Sequence, residues 1–582
     1  MSVMAYMPFG AGGIIIRVET DIRRGIPGVD ITGLAEGAVR EARDRVRAAF
    51  RNSGFSFPLD RILINLAPAG LKKAGAALDL PIALSVMAAA NIAPISGDIL
   101  VMGELELSGK IRPVRGVLAA IAAGLAEGIT EFIVPAENAG EAAILGKSAS
   151  FTAAENLQGA VHALFIREEK GALPASLESS LETPCPPDAR AAANAGNAAV
   201  NIGDIPNDFE ADVNDFSHVY GQAVYKRALE IAAAGGHNLL VFGPPGAGKT
   251  MLARRLPTIM APLTTDEAVE VTRLYSLAGP FSHNGDNNMF RFIDRLITRA
   301  PFRAPHHSAS AEGILGGGRI PRPGEISLAH FGVLFLDEAP EFRINVLQAL
   351  REPLEDRIIS IVRAEGPVRL PAEFQLLMTA NACPCGRLGI REAGGASCNE
   401  GFRASGNCNC FCSPQEINRY WRRFGGALLD RVEIRVAVLP PKIDEMGKRN
   451  HCGAGSIESS KHFLNDEDEG IPNCERSADI ARRVKAAVEI QRYRFKGTGI
   501  RRNAMLPASK ADKLCPMNQK AENAFHTAVA KLGLSGRAYH GILRVARTIA
   551  DLDSKETIET EHILEAVQHR RLGEDPWDII SM

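Results

Sequence analysis

The feature that most constrains this chain is the glycine-rich segment from Val241 to Met251, which follows a short apolar run. Gly243 and Gly248 frame the signature G-x4-G-K-T. Such glycines let successive backbone N–H groups face a polyphosphate, and a helix that begins at the end of the loop turns its positive end toward the same anion. Because the preceding run has the length of a buried strand, a phosphate-binding loop is favoured over a Gly/Pro loop without a ligand.

The residue types in this loop indicate ATP with Mg²⁺ as the ligands. Lys249 is expected to reach the β and γ phosphates, and the Thr250 hydroxyl is expected to hold Mg²⁺. The residues expected to line the nucleotide phosphates are Gly243, Pro244, Pro245, Gly246, Ala247, Gly248, Lys249, Thr250 and Met251.

Two further apolar runs end in polar residues suited to phosphate chemistry. Residues 332–338 read as a strand that ends in Asp337 and Glu338, the expected Mg²⁺ ligand and the expected polariser of the attacking water. Residues 374–381 read as a strand that ends in Asn381, which could orient that water. A buried strand can end in two acids by chance, but the phosphate-binding loop upstream makes an ATP-hydrolysing site the better interpretation.

Length and composition indicate a soluble protein with several domains. With 582 residues, the chain is expected to form roughly three or four domains. Its net charge of −2 means that any contact with nucleic acid must come from local basic patches. The N-terminus lacks the charged-then-apolar order of a signal peptide, and the longest uncharged run, 80–97, is interrupted by prolines. A cytoplasmic location without membrane contact is therefore expected.

The first domain is predicted over residues 1–167, where strand-like and helical patterns alternate. Strands are expected at 13–19, 61–66 and 130–135, and helices at 35–51, 80–90 and 117–127. Residues 168–207 are rich in Ser, Pro, Ala, Asn and Gly without apolar periodicity, which is typical of a flexible linker.

The ATP-hydrolysing core is predicted over residues 208–440, with an insertion between Thr250 and Val333. The inserted segments 302–308 and 316–324 combine Gly and Pro with basic side chains that suit contact with a phosphate backbone. The candidate DNA contacts are Arg303, His306, His307, Arg319 and Arg322. A solvated surface loop is the alternative. A β-hairpin is also expected at 358–370.

A cysteine cluster follows Asn381. Of the ten cysteines in the chain, six lie between residues 383 and 412, at positions 383, 385, 398, 408, 410 and 412. Four thiolates satisfy a tetrahedral structural Zn²⁺, which would staple this excursion to the core. Reduced thiols without a metal are the main alternative, and redox chemistry is the lesser one.

The last part of the chain contains a polar segment followed by a helical segment. Residues 441–478 contain the acidic and polar run 465–470 and are expected to be a polar, solvated insertion. Residues 479–582 are predicted to be helical, with apolar periodicity centred on 477–491, 522–532, 534–552 and 562–570.

The N-terminal motifs resemble one protein family. Gly28-x-Asp-Ile-x-Gly-Leu34, Asn65-Leu-Ala-Pro68 and Leu78-Asp-Leu-Pro-Ile-Ala83 are similar to motifs in the YifB/ComM family of magnesium-chelatase-like AAA+ ATPases. The resemblance covers 1–165, 208–440 and 480–575. It implies an α/β fold class with an N-terminal Lon-protease-like (S5-like) α/β domain, an AAA+ P-loop α/β domain and a C-terminal helical lid.

The same resemblance argues against proteolysis by the N-terminal domain. A Lon protease uses a Ser–Lys dyad, and alignment places Asp79 at the Ser position and Leu118 at the Lys position. Lys110 and Ser85 do not fall in the matching places. The domain is therefore interpreted as a non-proteolytic relative that serves assembly or DNA contact.

The resemblance also assigns roles downstream. Its Cys-Pro-Cys-Gly and Cys-x-Cys-Ser-Pro elements imply the zinc ligands Cys383, Cys385, Cys410 and Cys412, although Cys398 and Cys408 could substitute. Arg431, in Leu-Leu-Asp-Arg, takes the arginine-finger position, with a surface salt-bridge arginine as the alternative. Arg537, at a helix start, is the expected second sensor of the γ-phosphate.

The function implied by the family is that of a hexameric ring that uses ATP to move along single-stranded or branched DNA. Helicase or branch-migration activity in recombination of incoming DNA during natural transformation is the expectation. A chelatase-like motor that remodels a protein partner is the alternative. An ATP-dependent protease is less favoured because of Asp79 and Leu118.

Overall fold

The computed structural model describes thirteen parts of the chain, which carry every structural statement below: 2–34, 37–73, 75–95, 97–146, 148–172, 215–219, 221–279, 293, 295–318, 321–363, 366–388, 410–439 and 475–571. Arg319, Cys398, Cys408, the predicted linker beyond Ala172 and the acidic segment lie outside them. Within these parts, no helix combines the length and hydropathy needed to cross a membrane.

The strands are numbered in chain order. They are β1 (Ser2–Phe9), β2 (Gly12–Arg23), β3 (Gly28–Thr32), β4 (Arg61–Ala67), β5 (Asp98–Val101), β6 (Glu104–Leu105), β7 (Ile111–Arg112), β8 (Glu131–Pro135), β9 (Ser150–Ala154), β10 (Leu239–Phe242), β11 (Phe302–Arg303), β12 (Gly316–Gly317), β13 (Arg322–Pro323), β14 (Val333–Leu336), β15 (Ile358–Arg363), β16 (Gly366–Pro371), β17 (Gln375–Ala380) and β18 (Ile434–Ala437).

The N-terminal domain is built on a mixed seven-stranded sheet in the order β3-β4-β2-β1-β5-β8-β9. Its helices are Gly37–Asn52, Asp79–Ala89, Val117–Ala126, Ala139–Ala143 and Leu157–Ala172. The predicted α/β character and the three expected strands are confirmed. The central strand β1 was not predicted, because Val3 to Met7 are all buried and lack the alternation that marks a half-exposed strand. The last helix reaches Ala172, so the start of the predicted linker is helical.

The second domain contains a parallel five-stranded sheet in the order β11-β14-β17-β10-β18. Four of its strands are buried at every position. This burial explains the continuous apolar sequences of β10 and β14, whereas β17 and β18 also bury Gln375, Thr379 and Arg435. The helices around it are Ala223–Gly235, Lys249–Ala253, Leu256–Ile259, Thr265–Ala278, Ala311–Leu315, Glu325–Leu328, Ile344–Ala349, Arg351–Asp356, Pro414–Trp421 and Gly426–Leu429.

Two hairpins project from the second domain. β12 pairs with β13 inside the predicted insertion, and β15 pairs antiparallel with β16. The hairpin expected at 358–370 is therefore confirmed. In it, the Val362 side chain is 81% exposed.

The C-terminal region is helical, as predicted. Its helices are Ser477–Arg494, Ala508–Leu514, Gln519–Leu532, Gly536–Leu552 and Thr560–Arg571. They share one apolar core with the helix Ala223–Gly235 of the second domain. Asp215 accepts a hydrogen bond from the Ser477 backbone N–H at 3.1 Å, which ties the start of the C-terminal helices to the start of the second domain.

The N-terminal domain docks on the second domain through a buried polar contact. The Glu141 carboxylate accepts hydrogen bonds from the Leu118 backbone N–H, at 2.9 Å, and from the Ser276 hydroxyl. Burial raises the pKa of Glu141.

The β1–β2 turn touches both hairpins of the second domain. The Gly10 N–H donates to the Pro321 carbonyl at 3.1 Å, and a Cβ at Gly10 would lie 2.5 Å from Val368 Cγ1. Since Gly10 also has a φ of 69°, glycine satisfies both the close approach and the left-handed backbone. The N-terminal domain is thus in direct contact with the projecting segments.

Candidate active site

The phosphate-binding loop leaves the carboxyl end of β10 and leads directly into the helix Lys249–Ala253. Gly248 precedes that helix with a φ of 82°. At Gly243, a Cβ would lie 2.1 Å from the Val438 carbonyl oxygen, so the loop passes too close to the neighbouring chain for any side chain. The strand–loop–helix context that makes the motif specific is therefore present.

Lys249 and Asn381 meet in front of this loop. The Lys249 ammonium donates to the Gly243 and Pro244 carbonyls, both at 2.8 Å, and to Asn381 Oδ1 at 3.1 Å. Burial lowers the pKa of Lys249, and the negative charges of Asp337 and Glu338 oppose that shift. Because β17 lies beside β10, Asn381 at the end of β17 is brought to the lysine.

Thr250 and Asp337 form the adjoining polar cluster. The Thr250 hydroxyl donates to the two Asp337 carboxylate oxygens at 3.0 and 3.1 Å. A hydroxyl and a carboxylate so placed are hard oxygen ligands of the kind that Mg²⁺ takes together with phosphate and water. The two predicted Mg²⁺ ligands, from distant parts of the chain, are thus brought together.

Thr379 is a site residue that the sequence analysis missed. Its buried hydroxyl donates to Asp337 Oδ1 at 2.5 Å and accepts a hydrogen bond from the Glu338 backbone N–H at 3.1 Å. Thr379 therefore orients both carboxylate residues. The only available signal was a hydroxyl near the end of an apolar run, two residues before Asn381.

Glu338 is exposed at the mouth of the site, next to the half-buried Asp337. Its backbone is left-handed, with a φ of 50°, which is uncommon for a residue with a side chain. A hydrogen bond from the Asn381 N–H to the Tyr420 hydroxyl, at 3.3 Å, holds the neighbouring strand end in place. This arrangement leaves the Glu338 carboxylate free to face solvent beside the Mg²⁺ ligands.

Two further residues missed by the sequence analysis support the loop. Gln222 donates through Nε2 to the Ala247 carbonyl at 3.2 Å and to the Leu439 carbonyl at 2.7 Å. The Tyr225 hydroxyl donates to the Lys249 carbonyl at 3.0 Å. Gln222 stands just before the helix Ala223–Gly235 and Tyr225 lies in its first turn, so their contacts with the loop appear only in the folded chain.

Arg431 lies near the amino ends of the parallel strands, whereas the phosphate-binding loop lies at their carboxyl ends. It precedes β18, which runs parallel to β10 with Leu239 opposite Ile434. The loop follows the other end of β10, and a four-residue strand spans about 13 Å. The geometry therefore separates Arg431 from the loop of its own chain.

Arg537 lies beside Arg431 at this end of the strands. Arg537 donates to Glu355 Oε1 at 3.0 Å and to Asp430 Oδ2 at 3.4 Å, while Arg431 binds Glu355 Oε2. Both arginines line a cavity of about 630 Å³, and no residue of 243–251 lines it. Arg431 and Arg537, the two residues predicted to contact a γ-phosphate, thus lie side by side and share the Glu355 carboxylate.

The cysteine cluster converges as the family resemblance implied. The Sγ atoms of Cys383, Cys385, Cys410 and Cys412 all lie within 4.8 Å of one another. Cys383 lies 3.3 Å from Cys385 and 3.6 Å from Cys410. A tetrahedral Zn²⁺ with bonds of about 2.3 Å requires sulfur–sulfur separations of about 3.8 Å, so these four thiols fit zinc.

The cysteine cluster lies next to the nucleotide loop. Cys383 lies two residues beyond Asn381, and a Cβ at Gly386 would lie 3.0 Å from Pro245 Cδ. On the other side, the Trp421 indole N–H donates to the Ala382 carbonyl at 3.0 Å. A metal held here would therefore brace the end of β17 and the tip of the loop.

Removal of cluster ligands provides a test of the metal. We expect the purified protein to contain about one Zn²⁺ per chain, and Cys410→Ser to lose it, because three thiolates no longer close a tetrahedron. Cys515→Ala, which changes a buried cysteine outside the cluster, should retain the metal. Elemental analysis after purification without chelators measures both. Metal-free wild-type protein would show that the thiols are unliganded.

The candidate DNA contacts of the insertion are in different environments. Arg303 forms a two-point ion pair with Glu325, with N–O distances of 2.6 and 2.8 Å, so this guanidinium is engaged inside the fold. His306, His307 and Arg322 are exposed. The structure therefore leaves these three accessible.

The two positions that align with the Lon dyad are both buried. Asp79 is 0% exposed and accepts hydrogen bonds from Arg45 Nε at 2.7 Å and Nη2 at 2.9 Å. Leu118 is also 0% exposed. Ser85 shares a hydrogen bond of 2.8 Å with Thr20, and Lys110 is exposed on a loop.

Comparison with protein families matches three parts of the chain. Residues 215–446 match the family described as magnesium chelatase, subunit ChlI. Residues 18–138 match the family described as subunit ChlI of Mg-chelatase, and residues 474–570 match its C-terminal family.

Comparison with individual proteins extends over nearly the whole chain. It is 38% identical over 560 residues to the uncharacterized protein YifB of Salmonella typhimurium, covering 96% of this chain and 94% of that protein. It is 38% identical over 565 residues to the competence protein ComM of Haemophilus influenzae, covering 97% and 96%. A Lon protease of Solibacter usitatus is 26% identical over 134 residues, covering 22% of this chain and 17% of that protease.

The full-length identity agrees with the geometry of the nucleotide loop, the acidic strand end and the Asn-tipped strand. The chain therefore belongs to the YifB/ComM family of magnesium-chelatase-like AAA+ ATPases.

Proposed function

We propose that this chain forms a closed ring that hydrolyses ATP between neighbouring subunits and uses the energy to move along DNA. The observation that carries the proposal is the position of Arg431 and Arg537 at the amino ends of the parallel strands, away from the nucleotide loop of their own chain at the carboxyl ends. An arginine there can reach only the γ-phosphate bound by a neighbour, and head-to-tail contacts of this kind close into rings. A hexamer is the proposed ring size.

The proposed hydrolysis follows from the geometry of each residue. Lys249 and the loop N–H groups bind the β and γ phosphates. Thr250 and Asp337 would hold Mg²⁺, which would supply positive charge against the phosphates. Glu338 polarises the attacking water and Asn381 orients it. Arg431 and Arg537 of the adjacent subunit exchange Glu355 for the γ-phosphate and stabilise its developing charge.

Transmission to DNA is proposed to run through the two projecting hairpins. The His307 ring lies 6.5 Å from the Phe342 ring, which follows the loop that carries Glu338. A change at the catalytic carboxylate can therefore displace the insertion directly. His306, His307, Arg319 and Arg322 would contact the phosphate backbone, while Arg303, through Glu325, anchors the base of the insertion.

The choice of DNA as substrate is supported by the relative that is named for competence. We infer helicase or branch-migration activity in recombination of incoming DNA during natural transformation. A motor that remodels a protein is the second candidate, because Val362 exposes an apolar side chain on a hairpin where a polypeptide could be gripped. Proteolysis is disfavoured because the Arg45–Asp79 ion pair occupies the position of the Lon nucleophile.

The first experiment is the ATPase rate with and without single-stranded and branched DNA, at two salt concentrations. We expect DNA to raise the rate several-fold and the stimulation to weaken at the higher salt, because phosphate contacts release counterions. A rate that no DNA changes would support the protein-remodelling motor instead.

A further inference from the structure

The N-terminal domain carries a regular row of cations on one helix. In the helix Gly37–Asn52, one face is buried against the domain, including Val39, Val46 and Phe50. The opposite face exposes four arginines, which we name the arginine stripe: Arg40, Arg43, Arg47 and Arg51. Their spacing of three, four and four residues places them along one side of the helix.

The arginine stripe is not required by internal pairing. Arg43 pairs with the exposed Asp44 at 3.1 Å, and the Arg47 guanidinium lies 5.4 Å from the centre of the Phe57 ring. Among the described residues, no ion-pair partner is found for Arg40 or Arg51. The fifth arginine of the helix, Arg45, donates to the buried Asp79. The helix therefore makes its buried ion pair through Arg45 and not through the arginine stripe.

Both ends of the arginine stripe continue into exposed lysines on adjoining loops. The Lys73 N–H donates to the Leu34 carbonyl just before the helix, which brings the exposed Lys72 to that end. At the other end, Asn52 Nδ2 donates to the Leu107 carbonyl at 2.6 Å, in the loop that carries the exposed Lys110. Exposed cations therefore also lie on the loops near both ends of the helix.

Among the residues that the structure describes, no acidic side chain forms an ion pair with Arg40, Arg47 or Arg51. Glu41 and Asp44 are the acidic residues of the helix, and Glu41 lies 3.8 Å from the inward-pointing Arg45. Nearby, Glu106 is paired with Arg112 at 2.8 Å. A local excess of positive charge thus persists in a chain whose net charge is −2.

We propose that the arginine stripe binds the phosphate backbone of DNA, as a second contact outside the ATPase domain. The inference rests on the proposed DNA-motor function. The stripe is about 16 Å long at 1.5 Å per residue, and phosphates recur every 3.4 Å along each strand, so about five phosphates face it. One guanidinium group can donate two parallel hydrogen bonds to a phosphate group. Such contacts hold DNA without depending on its base sequence.

The test is DNA affinity of the full-length protein as a function of salt, measured by the anisotropy of fluorescein-labelled single-stranded and branched DNA. The test variant combines Arg40→Gln, Arg43→Gln, Arg47→Gln and Arg51→Gln. The matched control neutralises four exposed cations of the C-terminal region: Arg482→Gln, Lys485→Gln, Lys496→Gln and Lys531→Gln.

We expect the stripe variant to bind at least about tenfold more weakly and its plot of log K against log salt to lose about three units of slope. The control variant, and a variant with lysines at the four stripe positions, should keep most of the wild-type slope. DNA-free ATPase rates should be equal in all of them.

The outcomes separate this inference from the proposed function. Wild-type affinity and slope in the stripe variant would overturn the stripe alone and leave the DNA motor standing. A wild-type protein that binds neither DNA at low salt would overturn both.

Discussion

Replacing Glu338 by Gln is expected to lower ATP hydrolysis by at least about 100-fold while ATP binding is retained, because the amide cannot act as a general base for the attacking water. Gln is isosteric with Glu and preserves the left-handed backbone position. The hydrogen bond from the Glu338 N–H to Thr379 uses no side-chain atom of Glu338, so the loop should stay in place. Single-turnover hydrolysis and binding of a fluorescent ATP analogue measure the two properties separately.

The neighbouring Glu341 provides the matched control for this result. It is exposed and lies three residues along the chain, so Glu341→Gln removes the same charge without removing the base. Its hydrolysis rate should stay close to that of the wild type, whereas Lys249→Ala should lose ATP binding. Normal turnover in Glu338→Gln would exclude Glu338 from the chemical step.

Replacing Arg431 by Ala is expected to lower hydrolysis by about 1,000-fold with little change in ATP affinity, because an arginine finger acts mainly on the charge of the transition state. The structure separates Arg431 from the nucleotide loop of its own chain, and we propose that it acts on an adjacent subunit. Mixing Arg431→Ala with Lys249→Ala protein should therefore restore part of the activity. In a mixed ring, an intact nucleotide loop from one variant meets an intact arginine from the other.

Arg422→Ala is the control for the arginine, since Arg422 is exposed in the same part of the chain and should leave hydrolysis unchanged. Subunit exchange in the mixture can be verified by energy transfer between differently labelled variants. Mixed rings that exchange subunits yet remain inactive would contradict action between subunits.

Local sequence patterns predicted the parts of the catalytic site that depend on one segment. Gly243 to Thr250 form the expected loop, because the glycines and the apolar run before them act over a few neighbouring residues. Asp337 and Asn381 stand at strand ends for the same reason. The roles of these residues in hydrolysis stay predictions that the variants above address.

Support contacts could not be predicted in this way. Thr379, Gln222 and Tyr225 act through hydrogen bonds to residues far along the chain, and nothing in their immediate neighbours marks them. Arg303 shows the reverse case. It reads as a basic residue on a flexible loop, but Glu325 pairs with it once both segments fold together.

By itself, the sequence determined the nucleotide loop, the acidic and Asn-tipped strands and the cluster of six cysteines, because short-range periodicity and spacing encode them. The family resemblance singled out four of those six cysteines. The tertiary structure decided which of these meet. The strand order β14-β17-β10 brings Asp337 and Asn381 to Lys249. The parallel pairing of β18 with β10 places Arg431 at the end of the strands away from the nucleotide loop. The order and direction of strands arise from packing between distant segments, and no local pattern records them.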